Sequence, residues 1–473
     1  MSKKISLGAA IALALLLVAA SIPLTMRFAQ DMQNKIIVDL PRRMKEFQAV
    51  EEVREKVDAN FFKLPNEESV TVEMVRGYLA GLGDPDSRYL NAEEAMAYSK
   101  RLLGEQPDLG VELEYNPNPD GLPNVTAEDL SKRNGIVISH VKFGSPAAGC
   151  GLAVGDHIVK IETAEGKPLF QQSDVNAENY NEWIRKLGNI SALTVESSSA
   201  TLTITYKRGG ERMPPVSVIL GNSISTVSSQ LLESWHKDGE VGGDMSVGYI
   251  KIYYFFQNTR EQLESAIKEL ANAGATYFIF DLRGCTEGTI PYACNALNLL
   301  LPVMQESPIA TIHYRDKQRE SPSFISDSTS YLSYATGRVA VLINSATSGP
   351  AELFAYNLQA FATDKVLLVG QPTAGKNTVQ ELLTLSQVGG AALLTTGTVN
   401  ALFDTADWNK GGVKPGYWAK NTAVGNDTHV FVSLLKTSEG AVSLNVGAEA
   451  LQLQSAINAL TQPPPNETTT HGR

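Results

Sequence analysis

Residues 246–282 read SVGYIKIYYFFQNTREQLESAIKELANAGATYFIFDL, and the periodicity of this stretch decides the fold. Ser246–Tyr254 is rich in β-branched and aromatic residues and reads as a strand. Thr259 followed three residues later by Gln262 has the spacing of a capping box and predicts a helix over Arg260–Ala273. Leu263, Ile267 and Leu270 share one face of that helix, and Gly274 stops it. Tyr277–Leu282 is a short apolar run of the kind buried on both faces. Strand, helix and strand in this order form a βαβ unit with parallel strands. The alternation continues as helix Tyr292–Leu301, strand Val339–Ile343, helix Ala351–Phe361, strand Val366–Val369 and a last helix Ala448–Leu460. The fold class is therefore an α/β core built from βαβ units around a mostly parallel sheet.

Upstream the texture changes. Residues 104–221 hold short strands at Gly110–Leu113, Gly135–Val141, His157–Ile161 and Leu202–Lys207, parted by Gly, Pro and Asn clusters. This predicts a small, mostly-β domain inserted ahead of the core. Residues 28–103 read as helical, with amphipathic runs at Glu46–Phe62 and Val72–Leu82. Asn91 and Glu94 have capping-box spacing. At the start, Lys3 and Lys4 precede Ile5–Met26, which carries no charge and exceeds the roughly 20 residues that span a bilayer. Basic residues before the span predict that the body is translocated. Two readings stay open: an uncleaved N-terminal transmembrane helix, or a signal peptide cleaved near Val18-Ala19-Ala20. The expected division is an anchor at 1–27, a helical region at 28–103, the β domain at 104–221, the core at 222–460 and a disordered tail at 461–473.

Composition narrows the function. The 473 residues carry 40 Lys plus Arg against 51 Asp plus Glu, a net charge of −11. Such a chain lacks the basic balance that nucleic-acid binding requires. Its three cysteines, Cys150, Cys285 and Cys294, form no Cys-x-x-Cys pair, and its six histidines show no metal-ligand spacing. No metal or cofactor is implied. His140 and His157 fall on strands of the β domain and are expected to be structural. Cys285 as a nucleophile needs a base aimed at it.

Gly144-Ser145-Pro146-Ala147-Ala148, then Gly151-Leu152, then Gly155–Ile161 reads as a helix start with proline in its first turn, a tight glycine turn and a strand. This segment resembles a PDZ domain of the bacterial, protease-associated type. Leu109, Gly110, Val111, Glu112 and Leu113 resemble that family's carboxylate-binding loop and peptide-pairing strand. The resemblance implies capture of a protein C-terminus by strand addition.

Asp84–Leu90, Ser246–Ile252, Asp281–Gly288, Gly370–Gln380 and Gly412–Pro415 resemble, in order, motifs of the C-terminal processing (tail-specific) peptidases, serine peptidase family S41. The resemblance runs from about residue 40 to 460. It implies a serine nucleophile and a lysine general base. Lys376 is that base, expected to be kept neutral by burial in an apolar wall, and Gln380, four residues on, is expected to hold its amine. Gly288 and Gly349 are the candidate oxyanion donors. Glu287 stands where the family pattern has glycine.

The family places its serine three residues before the glutamate of the segment Asn344–Leu353. Counted from Glu352, that position is Gly349, and Ser348 lies one residue earlier. Ser348 is the candidate nucleophile, with Ser345 a further candidate. The alternative is a degenerate site. The resemblance thus implies a membrane-anchored serine endopeptidase, held in the bacterial inner membrane through residues 5–26 with its body in the periplasm, or secreted if the signal is cleaved. It would act on protein or peptide substrates through their C-termini. The rival is a PDZ scaffold with an S41-like fold that binds C-termini without cleaving them. Substrate identity and oligomeric state are not set by the sequence.

Overall fold

The computed structural model describes residues 47–106, 108–120, 135–142, 145–176, 178–188, 201–221, 223–232, 246–302, 308–319, 322–325, 334–335, 337–401, 411–418, 436–437, 440–441 and 448–461. The expected anchor Ile5–Met26 and most of the expected tail lie outside these residues. Among the described residues no helix is long and apolar enough to cross a membrane.

The chain divides into two compact units, residues 1–77 and 78–473. In the first, helix α1 (residues 47–60) and the start of helix α2 (Glu67–Ala80) line an apolar groove with Val50, Val57, Val70 and Met74.

The second unit opens with strand β1 (Arg88–Leu90) and helix α3 (Ala92–Leu102). The capping box expected at Asn91 is formed: Glu94 N–H donates to Asn91 Oδ1 at 2.8 Å, and Asn91 N–H donates to Glu94 Oε2 at 3.1 Å.

The small β domain is a sheet of strands β2 (Val111–Asn116), β3 (Gly135–Val141), β4 (His157–Thr163), β5 (Pro168–Gln171), β6 (Thr201–Arg208), β7 (Glu211–Arg212) and β8 (Val216–Ile219). Short helix α4 (Pro146–Gly149) is capped by Ser145, whose Oγ accepts from Ala148 N–H at 3.2 Å. Helix α5 (Tyr180–Gly188) lies beside β2, with Tyr180 stacked on Tyr115 at 4.5 Å. The interior is filled by Ile136 and Ile138 from β3 and Leu202 and Ile204 from β6, alternate residues of their strands, and by Ile158 and Ile161 of β4, where a bulge shifts the alternation by one. Both histidines of this domain are structural. His157 is buried with Nδ1 at 2.8 Å from Asp120 Oδ1, and His140 Nε2 lies 2.9 Å from Tyr253 Oη.

The core sheet starts with strands β9 (Val227–Leu232), β10 (Val247–Ile252), β11 (Tyr254–Phe255) and helix α6 (Thr259–Asn272). Strand β12 (Tyr277–Asp281), short strand β13 (Glu287–Gly288) and helix α7 (Ile290–Leu300) follow. Next come β14 (Ala310–Tyr314), β15 (Ser323–Phe324), β16 (Val339–Ile343), helix α8 (Pro350–Phe361) and β17 (Val366–Gly370). After them come β18 (Thr378–Thr384), β19 (Ala391–Ala401), β20 (Tyr417–Trp418) and, further on, helix α9 (Ala448–Thr461).

The main sheet has the order β20-β17-β16-β12-β10-β9, parallel throughout except for β9 at one edge. Its strands obey a period of two. Phe278, Phe280, Val339, Val341, Val366 and Leu368 face one side, where α6, α7 and α8 cover them. Ile279, Ala340, Leu342, Leu367 and Val369 face the other, against Leu453, Ala456, Ile457 and Leu460 of α9. A sheet covered on both faces explains the near-continuous apolar strands.

Two local readings are corrected. The capping box at Thr259 and Gln262 does not form. Thr259 Oγ1 instead accepts from Phe256 N–H, and Gln262 Oε1 accepts from Thr226 N–H and Val227 N–H, tying α6 to the start of β9. The expected strand Ser246–Tyr254 is interrupted at Tyr253, whose N–H donates to Thr226 O while β11 turns off to pair with β13. A second, antiparallel sheet in which β19 pairs with β1, β14 and β18 was not foreseen.

Candidate active site

The site is built where three connections meet at one end of the parallel strands: the loop after β12, the elbow between β16 and α8, and the segment leading from β17 to β18. Such ends are where parallel sheets place ligands.

The elbow comes first. Thr347 is fully buried and its Oγ1 donates to Leu282 O at 2.9 Å. Ser348 N–H donates to Cys285 O at 3.0 Å, and Ala374 N–H donates to Thr347 O at 3.0 Å. Gly349 then takes φ 59°, ψ −112° as the N-cap of α8, with Pro350 opening the helix. That positive φ is a sharp strand-to-helix turn of the kind that presents a nucleophile. A Cβ built on Gly349 meets nothing within 4 Å, so the position has room for a side chain.

Glu352 organises the surroundings. It is completely buried in the first turn of α8. Its Oε2 accepts from Gly349 N–H and from Lys376 N–H, each at 2.8 Å. Its Oε1 accepts from Gly375 N–H at 2.6 Å and from the Thr373 hydroxyl. One carboxylate therefore holds the elbow and the lysine segment at fixed distance, with its charge met by four donors.

The loop after β12 is fixed by a buried ionic cluster. Arg283 Nε donates to Asp281 Oδ1 at 2.9 Å, and Tyr249 Oη donates to Asp281 Oδ2 at 2.7 Å. Lys251 Nζ lies 3.4 Å from Asp281 Oδ1 and also donates to Arg283 O. Burial pushes the Asp281 carboxyl up, but Arg283 and Lys251 outweigh it and hold the group well below the usual carboxylate range. Further along, Gly288 sits at φ 142° in β13, where a Cβ would fall 2.6 Å from Phe255 O. Only glycine fits there. Glu287 beside it pairs with Arg101 of α3, Nε to Oε2 at 2.8 Å, and the guanidinium lies over the ring of Tyr254 at 4.9 Å.

Gly288, Gly349, Lys376 and Gln380 all line one cavity of about 380 Å³, whose apolar wall includes Ile312, Phe324 and Leu393. Four of the expected residues are thus brought to one place, with four differences from the expected contacts. Ser348 does not line the cavity, and among the described residues no hydrogen bond joins it to Lys376. The lysine amine is not sunk in an apolar wall. The side chain is 31% exposed and Nζ lies 2.6 Å from Asp86 Oδ2. Gln380 does not hold the amine either. Its Nε2 donates to Asp86 O at 2.7 Å. The Gly349 N–H, offered as an oxyanion donor, is already spent on Glu352. Ser345 is an exposed turn residue. Cys285 is buried, and burial pushes its thiol up to about 12, so it is no thiolate nucleophile.

In the β domain, Leu109–Leu113 runs into β2, which ends the sheet order and pairs only with β3 among the described strands. Gly110 N–H donates to Asp108 Oδ1 at 3.0 Å, and Lys142 N–H donates to Gly110 O at 2.9 Å.

Sequence reasoning missed Asp86, Glu352 and Arg101 as site residues. The signal for Glu352 was present: a glutamate three residues after a helix-opening position is a capping pattern. For Asp86 and Arg101 there was none, because their partners come from distant segments.

Comparison with known proteins finds similarity to one kind of peptidase. Residues 246–417 match the model of peptidase family S41. The chain is 24% identical over 370 residues to carboxy-terminal processing protease CtpA of Bacillus subtilis, covering 78% of this chain and 68% of that protein. It is 25% identical over 350 residues to the chloroplastic carboxyl-terminal-processing peptidase 1 of Arabidopsis thaliana, covering 73% of this chain and 62% of the relative. Among solved structures, a photosystem II D1 C-terminal processing protease aligns with TM-score 0.43 and 20% identity over 78% of this chain and 86% of the other. An S41 protease from Bacteroides fragilis NCTC 9343, described as putative, aligns with TM-score 0.48 and 19% identity over 84% and 92%. Residues 246–417 thus match the model of peptidase family S41, and the chain is similar to carboxyl-terminal processing proteases, as its motifs suggest.

Proposed function

We propose that this chain is a serine endopeptidase of the carboxyl-terminal processing kind, acting on protein substrates through their C-termini. The observation that carries the reading is the shared cavity: Lys376, Gly288 and the Gly349 elbow line it together, and Glu352 ties the elbow to the lysine segment. The names of the relatives supply the direction, since they are carboxyl-terminal processing proteases.

In this reading Ser348 is the nucleophile. It precedes the elbow glycine, whose conformational freedom lets the hydroxyl turn toward Lys376. Ser348 Oγ attacks the scissile carbonyl carbon, and its proton passes to Lys376 Nζ as that amine acts in its neutral form. The Gly288 N–H donates to the developing oxyanion. Collapse of the tetrahedral intermediate breaks the C–N bond, and the lysine returns the proton to the leaving amine. Water, deprotonated by the same lysine, then releases the acyl group from Ser348.

The β domain acts as a PDZ domain in this reading. A substrate C-terminus adds as a strand along the open edge of β2, next to the Leu109–Leu113 segment. Residues 5–26 anchor the chain in the bacterial inner membrane with its body in the periplasm. The test is cleavage of an unfolded protein bearing an apolar C-terminal tail by wild type, Ser348→Ala and Lys376→Ala. Loss of cleavage in both variants supports the dyad, and equal activity in all three removes it.

A second reading is favoured by one observation: glycine, not serine, stands at the cavity-facing elbow. A chain whose nucleophile is lost binds C-terminal peptides without cutting them. Wild-type protein that binds the tailed substrate and leaves it intact decides for this scaffold.

A further inference from the structure

The Lys376 amine is engaged by a residue from the other end of the unit. Asp86 belongs to the Asp84–Ser87 turn that leads into β1, and its Oδ2 lies 2.6 Å from Lys376 Nζ. The turn is held beside Lys376 by further bonds. Gln380 Nε2 donates to Asp86 O at 2.7 Å, and Thr395 N–H donates to Ser87 Oγ at 3.0 Å. Ser87 Oγ donates to Asp84 Oδ2 at 2.5 Å, which closes the turn on itself. The negative charges facing the lysine are thus Asp86 at its amine, Asp84 beside it and Glu352 at its backbone N–H. A carboxylate beside a lysine favours its ammonium form, which has no lone pair with which to take a proton from a hydroxyl.

We propose that Asp86 is the resting partner of Lys376, and that the lysine becomes a general base only when the Asp84–Ser87 turn withdraws. The inference rests on the reading of Lys376 as the base. The turn is suited to withdrawal. It is carried on β1, a three-residue strand whose sheet pairing is to β19 alone among the described strands. Short edge strands belong to the least stable parts of a fold. The ion pair itself is about a third exposed on each side, so breaking it has a modest cost. A substrate strand entering the cavity past Lys376 and Gln380 competes directly with Asp86 for both side chains. Substrate binding and release of the base are then one event.

The test reads the lysine directly and the reaction separately. The full chain and its Asp86→Asn variant are given a brief pulse of succinimidyl acetate, and peptide mass spectrometry measures acetylation of Lys376 against Lys100, which is exposed on α3. In parallel both proteins are assayed on the unfolded tailed substrate. The expected result is Lys376 labelling about threefold faster in the variant, with cleavage faster by a similar factor. Unchanged labelling overturns the inference. So does faster labelling with equal or slower cleavage, slower cleavage marking Asp86 as a group the working lysine needs. Faster labelling with no cleavage by either protein supports the resting pair and sinks the peptidase reading instead.

Discussion

The backbone N–H of Lys376 donates to Oε2 of Glu352 at 2.8 Å, and the same oxygen accepts from Gly349 N–H at 2.8 Å. The spacing between the elbow and the lysine is therefore set by one buried carboxylate. Replacing Glu352 by glutamine turns one acceptor into an N–H₂ group facing N–H donors, leaving buried donors unmet at about 1–3 kcal/mol. Glu352→Gln is expected to lower stability by about 2 kcal/mol in urea unfolding and to reduce cleavage more than it weakens substrate binding. A variant that unfolds at the wild-type midpoint with wild-type kcat would remove Glu352 from this role.

The elbow gives a second prediction. Gly349 has φ 59°, ψ −112° and open space at its Cβ. A serine there has room for its side chain at the wall of the cavity that Lys376 lines, at about 1–3 kcal/mol for holding an L-residue in that conformation. The double variant Ser348→Ala/Gly349→Ser is expected to cleave at least as fast as wild type, with a lower thermal midpoint. A double variant as dead as Ser348→Ala alone would show that position 349 cannot present a nucleophile.

Acid stability follows from Asp281. Its carboxyl is depressed in the folded protein, so its ionic contribution is complete above the unfolded value near 3.9 and is lost as pH falls through the lower folded value. Asp281→Asn leaves Arg283 and Lys251 without their shared anion and is expected to cost about 3 kcal/mol at neutral pH. The gap between wild type and variant should narrow in denaturant titrations taken below about pH 4. A gap of constant size across that range would contradict the assignment.

The thiols provide a structural check. Cys285 and Cys294 are buried, and burial pushes both thiols up. Cys150 is half-buried and Sγ lies 3.1 Å from Ser217 O. Native protein is expected to react with a thiol-specific disulfide reagent at Cys150 first, with the other two responding only after denaturation. Rapid labelling of Cys285 in folded protein would mean that the loop after β12 opens readily.

Much of the core was legible because its signals are local. The parity of Phe278, Ile279 and Phe280, or of Val339 through Ile343, assigns alternate residues to opposite faces of a parallel sheet. The Asn91 cap and the Ser145-Pro146 helix start are likewise settled within four residues. At Thr259 the same local logic failed. Gln262 found three donors at Thr226 and Val227 and left the cap unmade.

The sequence by itself determined the α/β core, the run of short strands ahead of it and the absence of serine at position 349, and its motif resemblance grouped Lys376, Gln380 and Gly288. The tertiary structure alone decided who touches whom there. Asp86 and Gln380 are 294 residues apart along the chain, and Arg101 and Glu287 are 186 apart. Periodicity and capping report interactions within a few residues. An ion pair between β1's turn and the lysine segment exists only because β1 and β18 flank β19 at the same residues, Ala391–Leu393, which brings the segments before them together.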